Sequence, residues 1–169
     1  PIAGTTRDTV DSLFDYEGTR ITFLDTAGLR KRGKADPGIE KYSAIRTIGA
    51  IERCYVAVLV LDATEFVTSQ DTHIGGYIDD AKRASVVVVN KWDLSKELGL
   101  TKAEAEAEIR NRFKFIPNVP IVFTSALTGW GVDKLLPTLL EVYGEFSKQM
   151  PRAEVSRVIF DAMGENPMP

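Results

Sequence analysis

Three short stretches of the sequence are apolar at consecutive positions rather than at alternate ones, and they restrict the fold more than any other feature. The stretches are residues 56–61, 85–89 and 120–123, and they consist largely of valine, isoleucine and leucine. Runs of this length and composition are typical of strands that are buried on both faces, as in a parallel sheet. The sequence therefore predicts a sheet with helices on both sides.

Helical patterns lie between and after these strands, at residues 39–53, 70–82, 102–113 and 132–146. Thr101 with Glu104 three residues later forms a capping-box pattern, which predicts that the third of these helices begins there. Strands that alternate with helices of this length predict a doubly wound α/β domain with a mostly parallel sheet. Near the start of the chain, residues 9–16 and 20–25 alternate in polarity on either side of Glu17-Gly18, which predicts a hairpin of half-exposed strands.

Composition is that of a soluble globular domain. The chain has 169 residues, of which 44% are hydrophobic and 27% charged, and its formal net charge is −3. This composition excludes a mainly disordered chain, and the acidic balance gives no general electrostatic reason to bind nucleic acid. The single cysteine and the lack of any apolar run near the ~20 residues of a membrane span predict a cytoplasmic protein with no membrane partner.

A change in composition near the C-terminus predicts a domain boundary. Gln149-Met150-Pro151 ends the last helix of the α/β pattern, and residues 154–163 favour a new helix. We therefore divide the chain into residues 1–149 and residues 150–169, the second part being too short for a domain of its own.

Polar residues follow the strand at residues 85–89, in the sequence Asn90-Lys91-Trp92-Asp93. Ligands of doubly wound folds bind at the carboxyl ends of the strands. The Asp93 carboxylate could accept two parallel hydrogen bonds from the N1–H and 2-amino groups of guanine. Adenine lacks this donor pair, and a buried carboxylate left unpaired costs about 1–3 kcal/mol or more. Asn90 could join the base to a neighbouring loop, and the Lys91 stem could lie along the base; by itself the tetrapeptide also fits a capped turn.

The strand at residues 120–123 is followed by Thr124-Ser125-Ala126-Leu127. The small residues would let the backbone N–H of Ala126 approach the guanine O6, while Ser125 would brace the loop that carries Asp93. Leu127 completes the nucleotide contacts that we predict for this loop.

A third motif, Asp25-Thr26-Ala27-Gly28, follows the second strand of the predicted hairpin. Asp25 could hold Mg²⁺ through a water, since Mg²⁺ keeps several waters and few protein oxygens. Gly28 would let its backbone N–H come close to a phosphate, and Thr26 and Ala27 form the rest of the predicted nucleotide-binding turn. Alone, this tetrapeptide also fits any strand-to-loop turn.

The fourth motif, Gly4-Thr5-Thr6-Arg7-Asp8, stands near the N-terminus. A threonine hydroxyl in such a loop could complete a Mg²⁺ shell while its backbone N–H meets the γ-phosphate, a contact that hydrolysis removes. We favour Thr6 for this role, with Thr5 as the alternative. Thr6 and Gly28 are the predicted catalytic residues, and the predicted ligands are GTP or GDP with Mg²⁺.

The four motifs occur in the order and spacing of a regulatory GTPase. Residues 38–43 and the sequence Ser125-Ala126-Leu127-Thr128-Gly129 narrow the match: the chain resembles, over its whole length, the second GTP-binding domain of the Der (EngA) family of tandem bacterial GTPases. The resemblance implies a P-loop GTPase fold of the Ras-like type, GTP hydrolysis coupled to assembly of the large ribosomal subunit, and potassium as an ion that often stimulates turnover.

The same resemblance implies the partners. They are the large ribosomal subunit with its rRNA, the first GTPase domain of the same protein, and the KH-like domain whose beginning residues 152–169 resemble.

One family motif does not occur in these residues. A phosphate-binding loop has the form G-x-x-x-x-G-K-[S/T], and the 169 residues contain no such sequence. In the family this loop precedes the threonine motif, together with a first strand that lies between the strands here at residues 20–25 and 56–61. We therefore expect two unpaired strand edges, and very weak GTP binding by these residues alone.

The sequence leaves two questions open. The chain could belong to a GTP-hydrolysing switch, to a nucleotide-responsive ribosome-docking module in which hydrolysis only resets binding, or to a pseudo-GTPase. The basic segment Arg30-Lys31-Arg32-Gly33-Lys34 could contact RNA or a neighbouring domain, or it could be a solvated loop.

Overall fold

A computed structural model of the protein describes residues 11–24, 37–149 and 151–165. Strands and helices alternate in this part after an initial hairpin, as the sequence predicts. In chain order the elements are β1 (Asp11–Tyr16), β2 (Thr19–Leu24), α1 (Pro37–Arg53), β3 (Val56–Asp62), α2 (Ser69–Asp80), β4 (Ala84–Asn90), α3 (Lys102–Arg112), β5 (Ile121–Phe123), α4 (Leu135–Phe146) and α5 (Arg152–Glu165), with 3₁₀ turns at Trp92–Leu94 and Val132–Lys134.

The three consecutive-apolar runs form one parallel sheet in the order β3-β4-β5. Val56 to Asp62 pair in register with Ala84 to Asn90, so the carboxyl ends of β3 and β4 lie side by side. Strand β5 pairs with the same part of β4, from Val87 to Val89. The register therefore brings the residues that follow all three strands to one edge of the sheet.

Both faces of this sheet are covered. One face carries Leu59, Leu61, Val87 and Val89, which pack with α2 and α3 residues such as Ile109. On the opposite face, Val86, Val88 and Val122 pack with Leu139 of α4. Because successive side chains of a strand point to opposite faces, strands covered on both sides need apolar residues at every position. The consecutive-apolar pattern of the sequence has this cause.

Strand β3 departs from the prediction at one residue. Val60 lies within a run predicted to be buried on both faces, yet it is 56% exposed. Among the described residues, β3 pairs only with β4, so Val60 has a neighbouring strand on one side only. The prediction of complete burial is therefore wrong at Val60.

The first two strands form the predicted hairpin, which is a sheet separate from β3-β4-β5. Glu17 and Gly18 both have positive φ, 48° and 77°, as a two-residue hairpin turn requires. Phe14 and Phe23 pack edge to face with ring centroids 5.6 Å apart, on a hairpin whose residues are otherwise largely exposed.

A cavity of about 680 Å³ lies between the two sheets. It is lined by β2 and by the first residues of β3, with α1, α2 and α4 around it. Within the described ranges, no strand pairs with the edge of β2 away from β1, nor with the edge of β3 away from β4. This agrees with the two unpaired strand edges expected from the sequence.

Local signals place the helix starts. Thr101 accepts a hydrogen bond from the Glu104 N–H, and the Glu104 carboxylate accepts from Thr101 in return, so α3 begins at Lys102 as predicted. Thr68 and Asp71 make the same reciprocal pair before α2. The predicted helix at residues 132–146 is interrupted: its first three residues form the 3₁₀ turn, and the α-helix begins at Leu135.

Helix α5 confirms the helix predicted near residues 154–163. Its side chains Val155, Val158, Ile159 and Phe160 are between 39% and 72% exposed. No helix in the described ranges is both long enough and apolar enough to cross a membrane.

Candidate functional site

The loops that follow β4 and β5 are joined by the side chain of Asn90. Its Oδ1 accepts a hydrogen bond of 3.0 Å from the backbone N–H of Ala126 and one of 3.4 Å from the Thr124 hydroxyl. Backbone bonds run beside it: the Thr124 N–H donates to the Val89 carbonyl, and the Trp92 N–H donates to the Thr124 carbonyl. The two predicted motifs therefore form one surface at the carboxyl edge of the sheet.

The Ala126 bond changes one prediction. The sequence predicts that the Ala126 N–H donates to guanine O6, whereas in the structure this N–H donates to Asn90. The parallel register of β4 and β5 brings the loops close enough for this contact. A guanine base would therefore share this N–H with Asn90 or displace the bond. The predicted role of Asn90 in tying the neighbouring loop is confirmed.

Ser125 also differs from its predicted role. Its side chain is fully buried, and its hydroxyl oxygen accepts a hydrogen bond of 3.2 Å from the Thr128 N–H, within its own loop. The backbone N–H of Ser125 donates to the Trp130 carbonyl, and the Gly129 N–H donates to the Ser125 carbonyl. Ser125 therefore closes the loop at residues 125–130, and the prediction that it braces the Asp93 loop is wrong. The side-chain link between the loops is made by Asn90 instead, beside the backbone bond from Trp92 to Thr124.

Lys91 has the left-handed backbone conformation, with φ at 62° and ψ at 32°. Its Nζ lies 2.7 Å from Oδ2 of Asp62, the last residue of β3. Asp62 is not among the site residues predicted from the sequence, although that prediction rests on polar residues that follow strands. The same rule applied to the strand at residues 56–61 would have found Asp62, which directly follows that run.

Two predicted nucleotide contacts are exposed to solvent at this edge. Asp93, in the 3₁₀ turn after Lys91, is exposed, and its carboxylate makes no hydrogen bond or ion pair with the described residues. Leu127 is 87% exposed. The two oxygens of an accessible carboxylate provide the acceptor pair that the N1–H and 2-amino groups of guanine need.

Two tryptophans lie in the loops that follow β4 and β5. Trp92 is 8% exposed and packs on Phe123 of β5, with ring centroids 4.3 Å apart. Trp130 is half exposed, and Nζ of Lys102 lies 4.7 Å from its ring centroid, within the range of a cation–π contact. Trp92 therefore packs beneath the loop that carries Asp93.

The predicted phosphate and magnesium residues fall outside the described ranges. These are Thr5, Thr6, Asp25, Thr26, Ala27 and Gly28, and the basic segment at residues 30–34 falls outside as well. The part of the chain that is described contains no group of three or more His, Cys, Asp or Glu side chains that could hold a metal ion. The geometry above therefore concerns the base-reading end of the predicted site.

Comparison with known proteins connects this geometry to GTP-binding domains. A family profile described as "Elongation factor Tu GTP binding domain" matches residues 3–145. A protein named GTPase Der from Chloroflexus aggregans is 48% identical over 167 residues, which are 99% of this chain and 37% of that protein. GTPase Der from Nitratiruptor is 46% identical over 168 residues, 99% of this chain and 36% of that protein. The chain thus spans little more than a third of the length of these relatives.

Solved structures of GTPases share the fold of this chain. Era in complex with MgGDPNP and nucleotides 1506–1542 of 16S ribosomal RNA is 30% identical, with a TM-score of 0.68 over 89% of this chain and 49% of that one. Aquifex aeolicus Era bound to GDP·AlF4⁻ is 29% identical, with a TM-score of 0.67 over 90% of this chain and 49% of the other. The arrangement of parallel strands and helices is therefore the one found in P-loop GTPases.

Proposed function

The chain belongs to the family of elongation factor Tu GTP-binding domains, and from this membership we propose that the loops after β4 and β5 bind the guanine base of GTP and GDP. The observation that carries the proposal is the 3.0 Å bond between the Ala126 N–H and Asn90 Oδ1, which fixes the two loops relative to each other. Asp93, three residues after Asn90 in the chain, is accessible to solvent. In this proposal Asp93 reads the base, Asn90 holds the two loops together, and Leu127 and the Lys91 stem cover the base.

The phosphate side of the proposed site is assigned from sequence. Asp25 and Thr6, with Thr5 as the alternative to Thr6, would hold Mg²⁺, and Thr6 and Gly28 would contact the γ-phosphate through their backbone N–H groups. Thr26 and Ala27 belong to the same turn. A bound Mg²⁺ would neutralise the charge that develops on the phosphates during hydrolysis, and potassium is a further candidate ion. We propose GTP hydrolysis for the whole protein rather than for these 169 residues alone.

Exchanging Asp93 for asparagine tests the proposal. Xanthine carries a carbonyl where guanine carries its 2-amino group, so the Asp93→Asn variant should gain XTP binding and lose GTP binding by about 100-fold. Equilibrium titration of the whole protein with both nucleotides measures the exchange. Another GTPase domain in the same protein would keep its GTP site but would not bind XTP, so XTP reports on this site alone. A variant that gains no XTP binding would contradict the proposal.

For the biological role we propose assembly of the large ribosomal subunit in the cytoplasm. Support comes from the similarity to GTPase Der and from the Era structure that contains ribosomal RNA. The proposed partners are the large subunit with its rRNA, a first GTPase domain, and a KH-like domain that begins at residues 150–169. Binding to large subunits with GTP, GDP and a non-hydrolysable analogue separates a hydrolysing switch from a docking module.

A further inference from the structure

Asp62 is a nearly buried carboxylate at the carboxyl end of β3, beside the proposed base-reading loop. It is 6% exposed, and it lies in register with Asn90, the last residue of β4. The backbone N–H and the hydroxyl of Thr64 both donate to Oδ1 of Asp62, at 3.0 and 2.7 Å. A carboxylate held by two donors on one oxygen has a fixed orientation, so the direction of its second oxygen is also fixed.

The second oxygen of Asp62 binds Lys91. Oδ2 lies 2.7 Å from the Lys91 Nζ, although the Lys91 side chain is half exposed and could extend into solvent. The contact therefore ties a residue of the loop after β4 to the end of the neighbouring strand. It adds to the backbone bond from the Ala63 N–H to the Asn90 carbonyl, which joins the same two strand ends.

The backbone of Lys91 has an unusual conformation that its surroundings must maintain. A φ of 62° is uncommon for a residue with a side chain and costs free energy. It persists only where surrounding contacts hold it. Lys91 stands between Asn90, which holds the loop after β5, and Asp93, the proposed guanine acceptor. The backbone conformation of Lys91 therefore sets the direction of the chain between the end of β4 and Asp93.

We propose that Asp62 is a positioning residue for nucleotide binding: through its ion pair with Lys91 it holds the loop at residues 90–93 in the conformation that reads guanine before the nucleotide arrives. The inference rests on the proposed function of that loop. A loop that is already ordered loses less conformational entropy on binding, so the pair should act on affinity. Asp62 is nearly buried while Lys91 is half exposed, so folding stability and nucleotide affinity are measured separately for each variant.

The test removes the charge of Asp62 while keeping its shape. In the Asp93→Asn background of the whole protein, Asp62→Asn should weaken XTP binding about fivefold to tenfold, a size usual for coupled neighbours. Using XTP confines the readout to this site. In a background that also carries Lys91→Met, Asp62→Asn should have a smaller effect, because the ion pair is already lost. Asp71→Asn, which alters a carboxylate in the α2 cap away from the site, is the matched control and should leave XTP affinity unchanged.

Each result decides whether Asp62 positions the loop at residues 90–93 for nucleotide binding. Unchanged XTP affinity in Asp62→Asn, or an equal loss with and without Lys91, would overturn the inference while leaving the proposed function intact. If Asp93→Asn alone binds no XTP, the proposed function fails and the inference fails with it. Thermal unfolding of each variant identifies any that do not fold. If Asp62→Asn is one of these, Thr64→Ala decides: weaker XTP binding supports the positioning role, and unchanged binding contradicts it.

Discussion

At the scale of single residues, two glycines control the loop after β5. Gly129 and Gly131 both have positive φ, 77° and 73°, but their surroundings differ. A Cβ at Gly129 would meet nothing within 4 Å, whereas a Cβ at Gly131 would collide with the backbone carbonyl of Phe123. Gly131 is therefore required both by its conformation and by the close approach of the loop to β5.

Replacing each glycine by alanine should separate these two requirements. We expect Gly129→Ala to lower the free energy of unfolding by about 1 kcal/mol, the cost of a left-handed residue with a side chain. Gly131→Ala should lower it by about 3 kcal/mol or more, because backbone must also move. Urea unfolding of the two variants measures the difference, and equal losses would show that the contact with Phe123 is unimportant.

At the scale of elements, reciprocal capping decides where α2 and α3 begin. In α3, the N–H and hydroxyl of Thr101 donate to the Glu104 carboxylate at 3.1 and 2.6 Å. These hydrogen bonds favour the charged form and hold the pKa of Glu104 below its ordinary value. The charged cap therefore stabilises the folded protein at pH values above the ordinary pKa of glutamate.

The lowered pKa of Glu104 predicts how the stability of the protein depends on pH. A carboxyl whose pKa is lower in the folded state than in the unfolded state contributes stability that is lost as the pH falls through the folded-state pKa. Glu104→Gln should therefore be less stable than the original protein near neutral pH, and the difference should shrink on acidification below the ordinary glutamate pKa. Thermal unfolding across pH measures it. Glu106→Gln, the same charge change on the same helix, should not reproduce this effect; a constant difference for Glu104→Gln would contradict the prediction.

At the scale of the whole molecule, the cavity of about 680 Å³ separates two sheets that the sequence predicts as parts of one domain. The edges of β2 and β3 line it, and each strand edge carries backbone groups that a further strand could pair with. The 169 residues also contain no phosphate-binding loop sequence.

A chain of these 169 residues alone should bind GTP very weakly. The lysine and hydroxyl groups of a phosphate-binding loop supply much of the interaction with the phosphates, and the base contacts cannot replace them. Titration with a fluorescent GTP analogue measures this, with full-length GTPase Der from Chloroflexus aggregans as the positive control. Micromolar affinity of the 169-residue chain would contradict the prediction.

The sequence by itself determined the strands of the parallel sheet, the starts of α2 and α3 to within one residue, and the two loops that carry the guanine motif. These features depend on local signals: consecutive apolar residues, the Thr101–Glu104 pair, and polar residues directly after strands. Their spacing along the chain is enough to find them, because each arises from residues that are neighbours in sequence.

The tertiary structure alone decided how these parts meet. It pairs Asn90 with Ala126 and Lys91 with Asp62, it turns the Ser125 hydroxyl toward Thr128, and it leaves Val60 exposed at an edge. The first two contacts join residues that are 36 and 29 positions apart in sequence, as their numbers show. Such contacts follow from strand order and register, which the apolar runs do not encode, because a run of valines fits equally well beside either neighbour.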